Sequence, residues 1–458
     1  MVESHLALLR LDTDRRTSWI EPQTVTITRC DLRKCRGGFI VRAPVFVRTT
    51  AMRRFLPAAC LSLTCISASA ALPDYLTFQL QVRSNVGIGA GFNITPGAGL
   101  SDTAPDLNDA LRVAARARFP SGQPGDDFDR HVWSGSNGTG FLVSEGPTGS
   151  EISAPRLDPL NRIWFAASGG IQPGIWRYDA PATTLFTNEP SLATGFQHAR
   201  GNAAGAAGYR AQFTLGRAWV SFVGVEFNFH AREVGLDFQS PYAALFPPAF
   251  DENRVIAGKL TLAASGFHQI RTIDHRGDFV ILARTSAEQA GSPYLSFDDQ
   301  VGISPTSGRV VFVAGLAGGA RGVFLANGPS NIVEIARTGT QGLTAIASLA
   351  PVVNDDGLVA FIGTDGSARE SVFIGDDTGI RRVIGRTDLV PVDLAPGSAR
   401  IAPPQAGQPP LLGGLAINGD GDLAFLATLT TPDGQSILGR GVYVARAGTQ
   451  LIHASGFE

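Results

Sequence analysis

Two clusters of side chains have the types and spacing for chemistry. Asp126, Asp127, Asp129, Arg130 and His131 fall within six residues, and His230, Arg232 and Glu233 lie in the run FHARE at 229–233. Carboxylates beside His and Arg can shuttle protons or grip a polar ligand, provided the fold brings them together. Scattered on loops they are only solvated charge. The remaining histidines of the later chain, His198, His268, His275 and His453, stand alone, and neither H-E-x-x-H nor G-x-S-x-G occurs. NGDGD at 418–422 places oxygens at alternate positions, as a Ca²⁺ loop does, but Leu423 stands where such a loop needs Gly, and no acidic residue follows at bidentate spacing. It reads as a hairpin turn. GIGAG at 87–91 fails the dinucleotide spacing, because Phe92 occupies the last Gly position. No metal and no cofactor is expected.

The elements that must position these groups are short strands. The 458 residues include 54 Gly and 28 Pro with only 17% charged, while 44% are hydrophobic. That combination gives many turns around an apolar interior and excludes a disordered chain.

From Met52 the chain reads MRRFLPAACLSLTCISASA, a basic start, a short apolar run and Ala68-Ser69-Ala70 as a cleavage signal. A signal peptide must emerge first to be read, so residues 1–51 are expected to be a mis-assigned upstream extension, 52–70 the signal peptide, and 71–458 the exported chain, secreted or periplasmic. All four cysteines, Cys30, Cys35, Cys60 and Cys65, precede the expected cleavage point. Disulfide, thiolate and cysteine–metal chemistry are thereby excluded from the remainder. Of the 38 Lys and Arg, 11 lie in the first seventy residues, as do 5 of the 40 Asp and Glu, which leaves 27 against 35 and a net of −8. An acidic chain with no basic stripe is poorly suited to neutralising phosphates, so no nucleic-acid partner is expected. No later run is apolar and long enough for a membrane span.

The chain repeats itself. NDDGLVAF at 354–361, SGRVVF ending at Phe312 and GDGDLAF ending at Phe425 share a turn glycine four residues before an aromatic. Extending that spacing gives seven pairs: Leu111 with Ala115, Asn161 with Phe165, Gly216 with Val220, Asn253 with Ala257, Gly308 with Phe312, Gly357 with Phe361 and Gly421 with Phe425. The period matches propeller blades of roughly 40–50 residues. Within 351–387, PVV, LVAFIG, ESVFIG and IRRVIGRT read as four strands, apolar inside and alternating outside. The expected fold is therefore all-β, a seven-bladed β-propeller with blades of mostly four antiparallel strands. Six blades is the alternative if Asn253 does not open a unit. The unassigned strand LTFQLQV at 76–82 is expected to close the ring against 450–454.

The pattern N-D-x-G-x-V-A-F, then G-V-F or G-V-Y, then I-A-R-T, resembles tandem-repeat proteins secreted by bacteria and regarded as β-propeller-like. The resemblance spans the chain from about Leu76 onward, is best at 354–361, and departs at Leu111 and Asn161. It implies the fold and export and carries over no reaction or ligand. The ending GFE resembles one found in exported proteins of some Gram-negative bacteria.

Taken together, these features point to a monomeric, exported scaffold that binds a protein or a glycan through its loop face. The two polar clusters would lie in matching links between second and third strands of blades one and three. The rival reading is a polysaccharide hydrolase or lyase, which would need titratable groups converging on the inner strands or channel mouth.

Overall fold

A computed structural model describes residues 71–84, 99–119, 129–394, 397–403, 405 and 407–448. They belong to one compact unit and form seven separate antiparallel sheets, the blades of a seven-bladed β-propeller. Six blades are continuous in sequence, over 99–145, 150–187, 195–232, 242–284, 294–337 and 343–385. The seventh takes 389–448 together with the amino-terminal strand. The only helical element among the described residues is the turn Ala317–Gly319, and no helix is long and apolar enough to cross a membrane.

Blade 6 shows how sequence becomes blade. Val352–Val353 and Leu343–Ile346 form the broken innermost strand, followed outward by Val359–Asp365, Glu370–Asp376 and Gly379–Gly385. The two middle strands are nearly continuous apolar runs because both their faces are covered, while the outermost, IRRVIG, is half solvated.

The core is distributed between blades. Seven hydrophobic clusters each span one junction: Trp133 with Leu426 joins blades 1 and 7, Val132 with Phe165 joins 1 and 2, and Trp164 with Tyr209 joins 2 and 3. The series continues with Trp219 and Leu260, Ile270 and Phe312, Val323 and Phe361, and Ile374 and Phe425. Each large side chain contributes about 1.5–3 kcal/mol of burial only when its neighbour blade is present, so no blade is stable alone. The aromatic of the repeat has a paired role. Phe312, Phe361 and Phe425 stack on Phe324, Phe373 and Tyr443 of the next strand at centroid distances of 5.7, 5.6 and 5.6 Å.

The ring is closed by Asp74–Arg83, which contains the expected strand 76–82. Its partner is Ile437–Gly448, with Phe78 opposite Ala445 and Leu80 opposite Tyr443. The expected partner, 450–454, lies outside the described residues. The amino-terminal strand takes the outermost place of blade 7, directly on the strand RGVYVAR. Tyr75 fastens it by donating to the Gly421 carbonyl at 2.6 Å, and the buried Arg83 pairs with Asp393 at 2.7 Å.

Two repeat positions need correction. In blade 3 the turn between first and second strands is residues 202–206, with Gly205 at φ +79°, and Tyr209 is the residue four later; Gly216 instead opens the third strand, Gly216–Val223. In blade 4 the positive φ falls on Arg254, not on Asn253. The left-handed residues are then Leu111, Asn161, Gly205, Arg254, Gly308, Gly357 and Gly421, at intervals of 50, 44, 49, 54, 49 and 64. The irregular spacing around blade 3 disappears. GIGAG at 87–91 lies outside the described residues.

Candidate functional site

The turns that follow the innermost strands form a ring of their own. Each begins with a buried Asn, Asp or Ser whose side-chain oxygen accepts the backbone N–H that opens the next strand. The pairs are Asn108 with Arg112 (3.1 Å), Asp158 with Arg162 (3.0 Å), Asn202 with Ala206 (2.8 Å), Asp251 with Val255 (2.8 Å), Ser304 with Arg309 (2.9 Å), Asn354 with Leu358 (2.9 Å) and Asn418 with Asp422 (2.8 Å). This local bond is what an Asx turn supplies, and it leaves the second side-chain atom free to reach sideways.

That second atom stitches the blades together. Asn108 Nδ2 donates to Asn161 Oδ1 at 2.8 Å, Asn202 Nδ2 to the Glu252 carbonyl at 3.2 Å, Asn354 Nδ2 to the Gly419 carbonyl at 3.3 Å, and Asn418 Nδ2 to the Asn108 carbonyl at 3.4 Å. Carboxylates one residue further along add bonds in the other direction. Glu252 accepts from Ala203 N at 2.7 Å, Asp355 from Thr306 N at 2.8 Å, and Asp109 from Gly419 N at 2.7 Å. Arg162 to the Asn202 carbonyl (2.7 Å) and Asn253 to the Thr306 carbonyl (3.0 Å) complete the circuit. NGDGD is one member of this ring: Asn418 donates to Asp422 Oδ2, and Asp422 pairs with Arg446 at 3.2 Å. Its oxygens are spent on holding the turn and the closing hairpin.

The ring surrounds one mouth of a central cavity of about 830 Å³ lined by the innermost strands of all seven blades. Beyond the turns, its wall has two characters. Blades 1 to 3 contribute Asp106, Arg116, Glu151, Arg156, His198 and Arg200, while blades 4 to 7 contribute mainly small and apolar groups such as Pro247, Pro248, Ala350, Pro351 and Gly414, with Gln300 as a polar exception. Most of the charges are committed. Asp106 pairs with Arg156 at 3.3 Å and accepts Leu157 N at 2.6 Å; Glu151 pairs with Arg116 at 3.0 Å.

His198 and Arg200 are different. Among the described residues neither side chain makes a hydrogen bond or an ion pair. The innermost strand of blade 3, Gly195–Gly201, shifts register between Gln197 and Arg200, and His198 sits in that bulge with φ +55°. A bulge re-aims side chains, and a left-handed backbone on a non-glycine residue costs on the order of 1–3 kcal/mol. The side chain it delivers faces the cavity. Burial, with Arg210 and Arg156 nearby, lowers the His198 pKa to about 4, so the ring is neutral at neutral pH.

The residues singled out from the sequence take other places. Asp126 and Asp127 lie outside the described residues. Asp129 pairs with Arg116 at 3.3 Å and so touches the cavity wall at second hand. Arg130 pairs with Glu145 at 2.6 Å, and His131 opens the third strand of blade 1, its ring 5.0 Å from Phe119. The run 229–233 is not in a matching link. His230 and Arg232 belong to the outermost strand of blade 3, Glu226–Arg232, with Glu233 just after it. His230 is buried between Ser221 Oγ (2.8 Å) and the Ile273 carbonyl (2.9 Å), and burial lowers its pKa to about 4. Glu233 accepts Arg217 N and Leu245 N at 2.9 and 2.8 Å, and Arg232 pairs with Asp237 at 3.0 Å. These three fasten blade 3 to its surroundings. The channel pair was missed because QHAR at 197–200 was not placed on an inner strand. The polar run between Phe196 and the Asn202 turn was the available signal.

No family model matches the chain, and no curated protein sequence matches it. Among solved structures it is similar to the β-propeller domain of the trilobed protease from Pyrococcus furiosus, described as having an open velcro topology. That likeness has 12% identity and a TM-score of 0.48, covering 77% of this chain and 96% of that one. A chain of the mitotic checkpoint complex matches at 10% identity and TM-score 0.44 over 88% and 99%. The polysaccharide lyase Uly1 matches at 11% and 0.42 over 81% and 96%. The sheets of this chain, rather than these likenesses, establish its fold.

Proposed function

We propose that the protein is an exported, monomeric binding scaffold that engages a glycan or a protein at the mouth of its central channel. The carrying observation is the cavity itself: about 830 Å³, in the range of roughly 300–1,000 Å³ that ligand pockets occupy, with uncommitted polar groups on one wall and apolar groups opposite. Binding is favoured over hydrolysis because the inner-strand carboxylates are held by arginines: Asp106 by Arg156, and Glu151 by Arg116. A glycosidase needs one of its two carboxyls protonated and both facing the scissile bond.

The test is capture on an immobilised panel of glycans, using the chain from Ala71 onward. Ala350 lines the channel without being fully buried, and Ala350→Trp would obstruct its apolar side. Wild type is expected to retain specific glycans and the Trp variant to lose them, while Arg232→Ala on the rim is retained like wild type. Equal retention by the Trp variant would move the site elsewhere.

A further inference from the structure

The channel wall says more about its ligand than that one exists. Of the three arginines on the blade 1 to 3 side, Arg116 is matched by Glu151 and Asp129 and Arg156 by Asp106, which leaves Arg200 as the one with no ion pair among the described residues. Its charge acts on Asp251 and Glu252 of the blade 4 turn and lowers the pKa that burial raises in both, but Glu252 is bonded to Ala203 N and neither forms an ion pair with Arg200. His198, two residues along the same bulged strand, has no hydrogen-bond partner for its ring nitrogens among the described residues. Beside them on blade 4 stand Pro247 and Pro248, and on the far side, from blade 6, Ala350 and Pro351. These four are apolar, and Gln300 of blade 5 is the polar side chain set between them.

Resting on the reading of the channel as the binding site, we propose that its ligand is a carboxylate with one apolar face, held by Arg200 with His198 as the neighbouring hydrogen-bond donor and its apolar face against the proline wall. A guanidinium with no ion pair among the described residues suits one carboxylate, which it can take with two parallel hydrogen bonds. A neutral His198 adds a donor without a second charge, so the site matches a monoanion better than a phosphate dianion. His198 and Arg200 both line the cavity, and the left-handed His198 lies within the register shift of the strand that carries them.

Two kinds of molecule carry this chemistry, an acidic saccharide with a C–H face and an alkyl or aryl acid. Titration calorimetry with trigalacturonate and 4-phenylbutyrate, each beside its neutral counterpart (the methyl-esterified trisaccharide and 4-phenylbutanol), separates them. One acid is expected to bind, with its neutral counterpart weaker by about tenfold or more, the loss of one charge-assisted contact. Arg200→Gln should cost a similar factor, Arg200→Lys less, and Arg337→Gln on the outer strand of blade 5 nothing. Since Arg200 makes no hydrogen bond or ion pair among the described residues, the thermal midpoint of Arg200→Gln should fall little, by no more than the loss of its field on Asp251 and Glu252. Binding of the neutral compounds as tight as the acids, binding unaffected by Arg200→Gln, or no binding of either acid would overturn the proposal. If neutral glycans are nevertheless captured and lost on Ala350→Trp, the channel reading survives without the carboxylate. If an acid binds and Ala350→Trp leaves it bound, both fall.

Discussion

Asp251 stands where four other blades have Asn, and the difference is one atom. In blades 1, 3, 6 and 7 the amide nitrogen donates to the next blade's turn, whereas Asp251 Oδ2 is buried without a hydrogen-bond partner. Blade 2 also has an acid, but Asp158 Oδ2 is satisfied by Arg162 Nε at 2.6 Å and Trp164 Nε1 at 2.9 Å. Burial accordingly raises the Asp251 pKa to about 6, above the 3.8 of an ordinary aspartate. The folded state therefore holds this proton more tightly than the unfolded chain. The associated stability is fully present below about pH 4 and is lost as pH rises through about 6, leaving a cost on the order of 2 kcal/mol at neutral pH. Asp251→Asn keeps the bonds from Asn253 N and Val255 N and replaces the orphan oxygen with a donor. It should raise the thermal midpoint at pH 7 by several degrees and flatten its pH dependence between about 4 and 6. A midpoint unchanged or lowered at pH 7 would contradict this reading of the turn ring.

At the scale of the element, the hairpin turn carries the repeat. Gly357 has φ +88°, and a Cβ there would also lie 2.3 Å from the Arg309 guanidinium; at Gly366 the nearest atom to a Cβ is 3.8 Å away and φ is ordinary. Gly357→Val should cost about 1–3 kcal/mol and Gly366→Val clearly less, read as the difference in urea midpoint. This element was legible where local chemistry dominates. The Asn or Asp that opens the turn, the left-handed residue and the aromatic that stacks across the hairpin could all be read at 354–361, and the blade count followed. It was misread where packing between blades took over. Gly258, four residues after Arg254, has no aromatic because Trp219 of blade 3 fills the place, 2.6 Å from where a Cβ would be. Gly208 is likewise covered by Phe250 of blade 4. A single strand cannot reveal that its missing side chain is supplied by its neighbour. The same limit hid the channel: His198 and Arg200 become a site only when the blade 3 turn is correctly placed and the ring brings Arg156 beside them.

Over the whole molecule, closure by a strand from the opposite terminus makes the propeller one cooperative body. Asp74–Arg83 covers an edge strand that carries Val442, Tyr443 and Val444, and its removal would expose their backbone groups. Deleting residues 71–83 should lower the thermal midpoint and produce aggregation visible in light scattering. A truncated protein that stays monomeric with the same midpoint would mean the strand is dispensable. Closure also fixes the channel, because the turn ring joins blade 7 back to blade 1 through Asn418 and Asp109. A binding site built from three blades on one side and four on the other requires that ring to be shut. The most direct measurement is a crystal structure of the chain from Ala71 soaked with whichever acid the calorimetry selects. Density for the ligand is expected inside the channel, with its carboxylate within hydrogen-bond distance of Arg200. Density only on a blade rim, with the channel holding nothing but solvent, would contradict the account.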